Sequence, residues 1–145
     1  MFLSALAIIC RNPVALHCYF MLRFLAVIAV GGALGSVSRY LAQMGVARHF
    51  AHPFPLGTLL VNILGCLLIG LFYALAEKGT LASPTLRLLL TTGFCGGFTT
   101  FSTFSYETLT LLEAEQYLLV AFYVAGSVLL GLLATFAGVA LVRTW

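Results

Sequence analysis

The chemistry of this chain is concentrated in residues 93–107. They read Gly93-Phe94-Cys95-Gly96-Gly97-Phe98-Thr99-Thr100-Phe101-Ser102-Thr103-Phe104-Ser105-Tyr106-Glu107, with three glycines inside five residues and then five hydroxyl side chains inside seven. Each glycine costs a helix about 1 kcal/mol relative to alanine, and an unbroken lipid-facing helix would not carry so many hydroxyls. The pattern predicts a helix that breaks near the membrane centre, which is tolerated only where the backbone is buried in protein or lines an aqueous cavity. Carbonyls freed at such a break can hold a hard cation, and freed amides can face an anion. Phe101 and Phe104 are three apart, on one face of the half-helix after the break. Lipid contact or packing is the usual fate of such rings. Here both are embedded among Ser and Thr, and the positive edge of a phenyl ring can face an anion without the full charge that would trap it.

Two other polar groups interrupt apolar sequence. Asn62, between Val61 and Ile63, shares a helical face with Thr58 and Gly65. A buried amide is costly without a partner, so Asn62 either glues the bundle or lines a pore, and spacing favours neither. Tyr123, Ser127, Gly131 and Thr135 recur at four-residue steps. That stripe suits equally a helix-packing seam or a hydroxyl track that replaces water around an ion. Gly31 and Gly35 form a pair spaced for close helix approach, for which plain packing is the favoured role. Arg39-Tyr40 suits a membrane interface.

These groups need elements that cross a bilayer. Of 145 residues, 62% are hydrophobic and 8% charged, against about 25% charged in a soluble domain. A spanning helix needs about 20 mostly apolar residues. Residues 56–76, 88–106 and 116–142 contain no charge, and residues 24–38 extend through Arg39, which can snorkel. The expectation is an all-α integral membrane protein of four transmembrane helices, the third broken, joined by short connections at about residues 44–55, 77–84 and 113–116. No Gly-Lys-Ser/Thr phosphate loop is present, so no nucleotide drives it. Residues 1–20 lack the basic start of a signal peptide. They are interrupted by Asn12-Pro13 and followed by a second Met at position 21, and are set apart as an N-terminal extension, with 21–145 as the four-helix transmembrane domain. Cys10, Cys18, Cys66 and Cys95 suggest neither a disulfide nor a metal framework. His49 and His52 are spaced like zinc ligands but have no Cys or carboxylate close by.

From about residue 21 to its end the chain resembles the Fluc (CrcB) family of fluoride channels. The match rests on residues 32–40, on Gly57-Thr58-Leu59 with Val61-Asn62 and Gly65, and most specifically on residues 93–107. The resemblance implies a dual-topology, antiparallel homodimer with two fluoride pathways in the bacterial inner membrane. It implies that Phe101 and Phe104 form an aromatic box, with Asn62 as a polar contact. It implies a structural sodium ion at the dimer centre, bound by the backbone oxygens of Gly96 and Thr99. Tyr123, Ser127 and Thr135 look like a polar track, Gly131 standing where some members carry a hydroxyl. Ser102 and Thr103 complete the expected pathway, and Arg39 and Glu107 are assigned to a vestibule or interface. The partners implied are fluoride, a second copy and lipid, with no nucleic acid.

The main rival is a small proton-coupled multidrug exporter, which needs a titratable group inside the membrane. Glu107 is the one candidate, and it lies towards one end of its span. A non-transporting assembly subunit would not explain the hydroxyl-rich third span. An enzyme is disfavoured for want of a nucleophile–base pair at membrane depth. Four spans would put Arg23, Lys78, Arg87 and Arg143 on one side, with Arg11 if the extension stays there, and Arg39 and Arg48 on the other. So small a basic bias is a weak determinant of orientation, as dual insertion requires.

Overall fold

The computed structural model describes residues 13–50, 53–81 and 83–145, and every described element is helical. Helix α1 is Pro13–His49 and α2 is Leu56–Glu77. The short α3, Pro84–Leu88, runs without a gap into a π-helical stretch, Leu89–Cys95, and then α4, Gly96–Phe98. Helix α5 is Phe101–Glu113 and α6 is Tyr117–Arg143. Among the described residues three helices are long and apolar enough to cross a membrane: His17–His49 within α1, Leu56–Glu77 and Tyr117–Arg143. Exposed Leu129, Leu132, Leu133 and Phe136 on α6 suit lipid rather than water. The chain is an all-helical membrane protein.

Helix α1 differs from expectation at both ends. It continues through residues 44–49, expected to be a connection, because no proline intervenes before Pro53. The basic Arg48 and His49 lie in its last turn, where the helix dipole favours them, and His49 Nδ1 lies 2.9 Å from the Gly45 carbonyl oxygen. At the other end one helix crosses the boundary set at residue 20, since Pro13 occupies the first turn, where its missing amide costs nothing. Residues 1–12, His52 and with them Cys10 and Arg11 lie outside the described residues.

At 1.5 Å per residue α1 is about 55 Å long, well beyond a hydrocarbon core of about 30 Å. Its neighbours mark the levels. Gln43 packs against Gly57 at the start of α2, and Arg23 shares a cleft with Ser83 and Thr85 at the start of α3. The twenty residues between these levels span about 30 Å, so residues 13–22 overhang one end of the bundle by about 15 Å.

Two glycine seams hold the bundle. Helices α2 and α6 form the most extensive contact. A Cβ on Gly70 would collide with the Thr135 carbonyl oxygen, and one on Gly138 with that of Leu67. Helix α1 packs along the π-helical stretch and α4. A Cβ on Gly35 would collide with the Phe94 carbonyl, one on Gly97 with that of Gly32, and one on Gly31 would stand 2.9 Å from Gly93 Cα. The Gly31/Gly35 pair thus packs within the chain. Two tight turns complete the path, with Gly79 at φ 78° after α2 and Glu115 at φ 57° between α5 and α6.

Candidate functional site

The site is built where the helical ladder stops. Thr91 Oγ1 donates to the Arg87 carbonyl at 2.8 Å, a back-bond that competes with the ladder and bends helices, just where the widened π-helical turns run. The glycines of this region remain helical. Thr99 (φ −82°, ψ 158°) and Thr100 (φ −149°, ψ 121°) are the extended residues. The interruption thus lies two residues beyond the glycines, which serve close approach to α1.

Side chains fix both edges of the interruption. Asn62 Nδ2 donates to the Thr100 carbonyl at 3.0 Å, and Asn62 Oδ1 accepts from the Thr100 amide at 2.8 Å. One planar amide thus satisfies both backbone groups of an extended residue, as a neighbouring strand would. Thr99 closes the first half, its hydroxyl and its amide both donating to the Cys95 carbonyl at 3.0 Å. Its methyl presses against Gly65, where a Cβ would collide with it. Thr100 opens the second half as the N-cap of α5: its Oγ1 accepts from the Thr103 amide at 3.2 Å and donates to Thr103 Oγ1 at 3.0 Å. Ser102 Oγ lies 3.3 Å from the same oxygen.

These diversions account for two of the four carbonyls, Gly96 to Thr99, that the interruption leaves without helical donors. The Thr100 amide, which a continuing helix would give to Gly96, goes to Asn62. The Thr103 amide, which would go to Thr99, goes to Thr100 Oγ1. Gly96 is exposed and a Cβ there would meet open space. Both residues line a cavity of about 380 Å³ with Asn62, Cys66, Cys95 and Phe101. Neutral carbonyl oxygens beside such a cavity fit a hard cation.

The aromatic pair lies on the other side of the interruption. Phe101 is 79% exposed and its ring centroid is 5.6 Å from that of Phe104. Phe104 in turn contacts Tyr123 at 5.0 Å, and Phe54 meets Tyr123 edge-on at 5.6 Å. Tyr123 is 0% exposed, and its hydroxyl donates to Glu107 Oε2 at 2.7 Å. Thr58, equally buried, donates to Glu107 Oε1 at 2.8 Å. A hydroxyl has one proton, so Thr58 accepts the 3.0 Å bond from Gln43 Nε2. Four helices thus converge on one carboxylate, both of whose oxygens take O–H donors. A second cavity, of about 220 Å³, opens beside it between Gln43, Phe50, Phe54 and Thr58.

The α6 stripe divides in two. Its upper part joins the site: Ser127, one turn from Tyr123, has a buried Oγ with no partner among the described residues. Its lower part is packed, with Gly131 against Cys66 Sγ and the Thr135 backbone against Gly70, while the Thr135 hydroxyl donates back to the Gly131 carbonyl at 3.1 Å. Arg39 is half-buried on α1 with no ion-pair partner among the described residues. Sequence reasoning missed Gln43, Phe54 and the capping role of Thr100. The last had a signal, a Thr before a helix start with its own hydroxyl partner three residues on. Gln43 had a weaker one, a lone amide among apolar residues of α1.

A search against known proteins gives a consistent result. The family model described as "CrcB-like protein, Camphor Resistance (CrcB)" matches residues 26–139. The fluoride-specific ion channel FluC of Flavobacterium psychrophilum is 47% identical over 116 residues, covering 80% of this chain and 94% of that protein. Its namesake from Bacteroides fragilis is 54% identical over 114 residues, covering 77% and 89%. One from Leptospira interrogans is 46% identical over 121 residues, covering 83% and 95%.

Proposed function

This chain belongs to the CrcB family, and from that premise we propose that it is a fluoride-selective channel through which fluoride leaves the cell passively, lowering its toxicity. It is a multi-pass membrane protein and not an enzyme. Relatives named for fluoride conduction match it along nearly their whole length. The observation that carries the assignment to particular residues is the Asn62 clasp on Thr100, which fixes an interruption beside two phenyl rings.

Fluoride is small and tightly hydrated, so a pathway must replace its water. In this reading the ring edges of Phe101 and Phe104 face the ion, with the second Nδ2 proton of Asn62 and the free Ser127 hydroxyl as donors. Ser102, Thr103 and Tyr123 line the rest of the path, Thr135 being packed against α2 instead, and Arg39 and Glu107 border its vestibule. The α3–α4 segment and α5 together make the fourth crossing, interrupted near the membrane centre. No nucleotide is needed, because a negative-inside potential drives an anion outward with about 2.3 kcal/mol per charge per 100 mV.

The functional unit is an antiparallel homodimer in the bacterial inner membrane. A lone four-helix bundle fills its interior with side chains, and the exposed Gly96 lies open to a partner. The diverted carbonyls of Gly96 and Thr99 would hold one sodium ion where two copies meet; its role is to fix the interrupted segments to each other. Exchange of sodium for a large organic cation is expected to depress flux or dimer stability, and unchanged flux in thoroughly sodium-free medium refutes this site. A single Cys introduced near the C-terminus is expected to label from both faces of intact cells, and labelling from one face only excludes dual insertion.

The decisive experiment is ion efflux from liposomes containing purified protein. Fluoride efflux without comparable chloride efflux is expected; equal fluxes remove the fluoride reading.

A further inference from the structure

Behind the two hydroxyls that cap Glu107 stands an amide from another helix. Thr58 Oγ1, which gives its single proton to Glu107 at 2.8 Å, receives one from Gln43 Nε2 at 3.0 Å. The chain of bonds therefore runs one way, from α1 through α2 to α5, and Tyr123 closes it from α6 at 2.7 Å. Its direction is fixed at both ends. An amide N–H can only donate, and a carboxylate that takes two O–H donors, the pattern of its ionised form, can only accept. Thr58 and Tyr123 are both buried, so a lost partner leaves a buried polar group unmatched.

Gln43 is held inside α1 by the helix's continuation to His49. Its stem packs on the bare backbone of Gly57, where a Cβ would meet Gln43 Cα, Cγ and Cβ at 3.4, 3.5 and 3.6 Å. An apolar side chain of the same length would pack there equally well, without the cost of an amide in an apolar helix. The amide is therefore the informative part. The far end of its bond chain reaches the aromatic pair, since the Tyr123 ring lies 5.0 Å from that of Phe104. Gln43, Thr58 and Glu107 also line one cavity of about 220 Å³, in whose lining Glu107 is the one charged group. We propose that Gln43 is a positioning residue of the ion path: its amide commits the Thr58 proton to Glu107 and so keeps Glu107, Tyr123 and the Phe104 ring in conducting register. It acts through Thr58 and touches no ion itself. The proposal rests on the channel reading and adds to it a residue of α1.

Two substitutions of similar bulk separate the amide from its stem. Gln43→Met keeps the stem and removes the donor. Gln43→Glu keeps the stem and donates only when protonated; ionised, it sets a second carboxylate against one hydroxyl proton. Fluoride current is measured across planar bilayers, where neutral hydrofluoric acid carries none, and is referred to the wild type at the same pH. Gln43→Met is expected to lower the current about fivefold, the factor for one hydrogen bond. Gln43→Glu is expected to fall at least as far at about pH 7.5 and to rise above Gln43→Met at about pH 5, because two carboxyls sharing one hydroxyl take up a proton more readily than either alone. An unchanged Gln43→Met overturns the proposal and reduces any loss in Gln43→Glu to charge repulsion. A Gln43→Glu current that does not respond to pH overturns it as well. Stability gives a second reading that needs no ion. In a cycle with Thr58→Val, which removes the acceptor, Gln43→Met is expected to cost no further thermal stability, and full additivity of the two losses overturns the bond chain. A wild type that carries no fluoride current refutes the channel reading, and the stability cycle then still decides the bond chain.

Discussion

The α2–α6 pair and the interrupted segment from α3 to α5 stabilise themselves by opposite means. The first keeps its backbone bonds in register and gains stability from proximity, with Gly70 and Gly138 letting each helix reach the other's carbonyls. The second abandons the ladder at Thr99 and Thr100 and replaces it with side chains from Asn62, Thr99 and Thr100. The contrast teaches where each kind of substitution acts. Under the proposed function, damage to the seam costs fold, whereas damage to the interruption costs fold and ion path together.

Asn62→Leu is the sharpest way to break that contrast. It keeps side-chain bulk and leaves the buried amide of Thr100 unmatched, at about 2 kcal/mol, while the Thr100 carbonyl keeps its bond as the N-cap of α5. Fluoride flux is expected to vanish and stability in detergent to fall by about 2 kcal/mol. A variant that conducts like the wild type would show that the clasp is not needed. Gly138→Val should cost about 3 kcal/mol through overpacking against Leu67 and Leu71, read as lower folded yield. Flux per folded protein should stay unchanged; a parallel loss of flux would make the seam part of the path.

Smaller effects separate ring chemistry from packing. Phe101→Ile is expected to leave stability within about 1 kcal/mol, because the ring is 79% exposed. It should lower fluoride flux about fivefold, the equivalent of a ring-edge contact worth ~1 kcal/mol. Normal flux in both this variant and Phe104→Ile would reduce the pair to packing. At the bottom of the scale, Glu115→Gly relieves a left-handed residue at φ 57°. A gain of about 0.5 kcal/mol is expected, net of glycine's extra entropy cost, with flux unaltered. Loss of stability would show that the Glu115 side chain contributes more than its strained backbone costs.

Much of the candidate site stands out in sequence because its parts are chemically out of place. Asn62 inside an apolar run, and hydroxyls packed around Phe101 and Phe104, are costly in lipid and so conspicuous. What was not legible depends on three-dimensional partners. The position of the interruption follows from Asn62 capturing the Thr100 backbone, a contact 38 residues apart in the chain. Glycine content pointed two residues too early, since glycine tolerates either role. The length of α1 was underestimated because Gly45, Arg48 and His49 look like a connection. Each is in fact compatible with a helix end, and nothing before Pro53 forces a stop. Gln43 escaped notice because its meaning comes from Thr58, which faces it from another helix.

The interrupted segment also bears on how the chain is assembled. Only α1, α2 and α6 are individually long and apolar enough to be recognised as spans among the described residues. Three crossings would leave the two ends of the chain on opposite faces of the bilayer, and four would return them to the same face. The final topology then depends on the weakest segment, which enters against the apolar partners already in place. Asn62 and the glycines of α1 provide a ready surface for it, so under the proposed function insertion and formation of the ion path become one event. In the proposed four-crossing arrangement, a chain that failed to capture Thr100 would lose its pathway and also finish inside out at its C-terminal half.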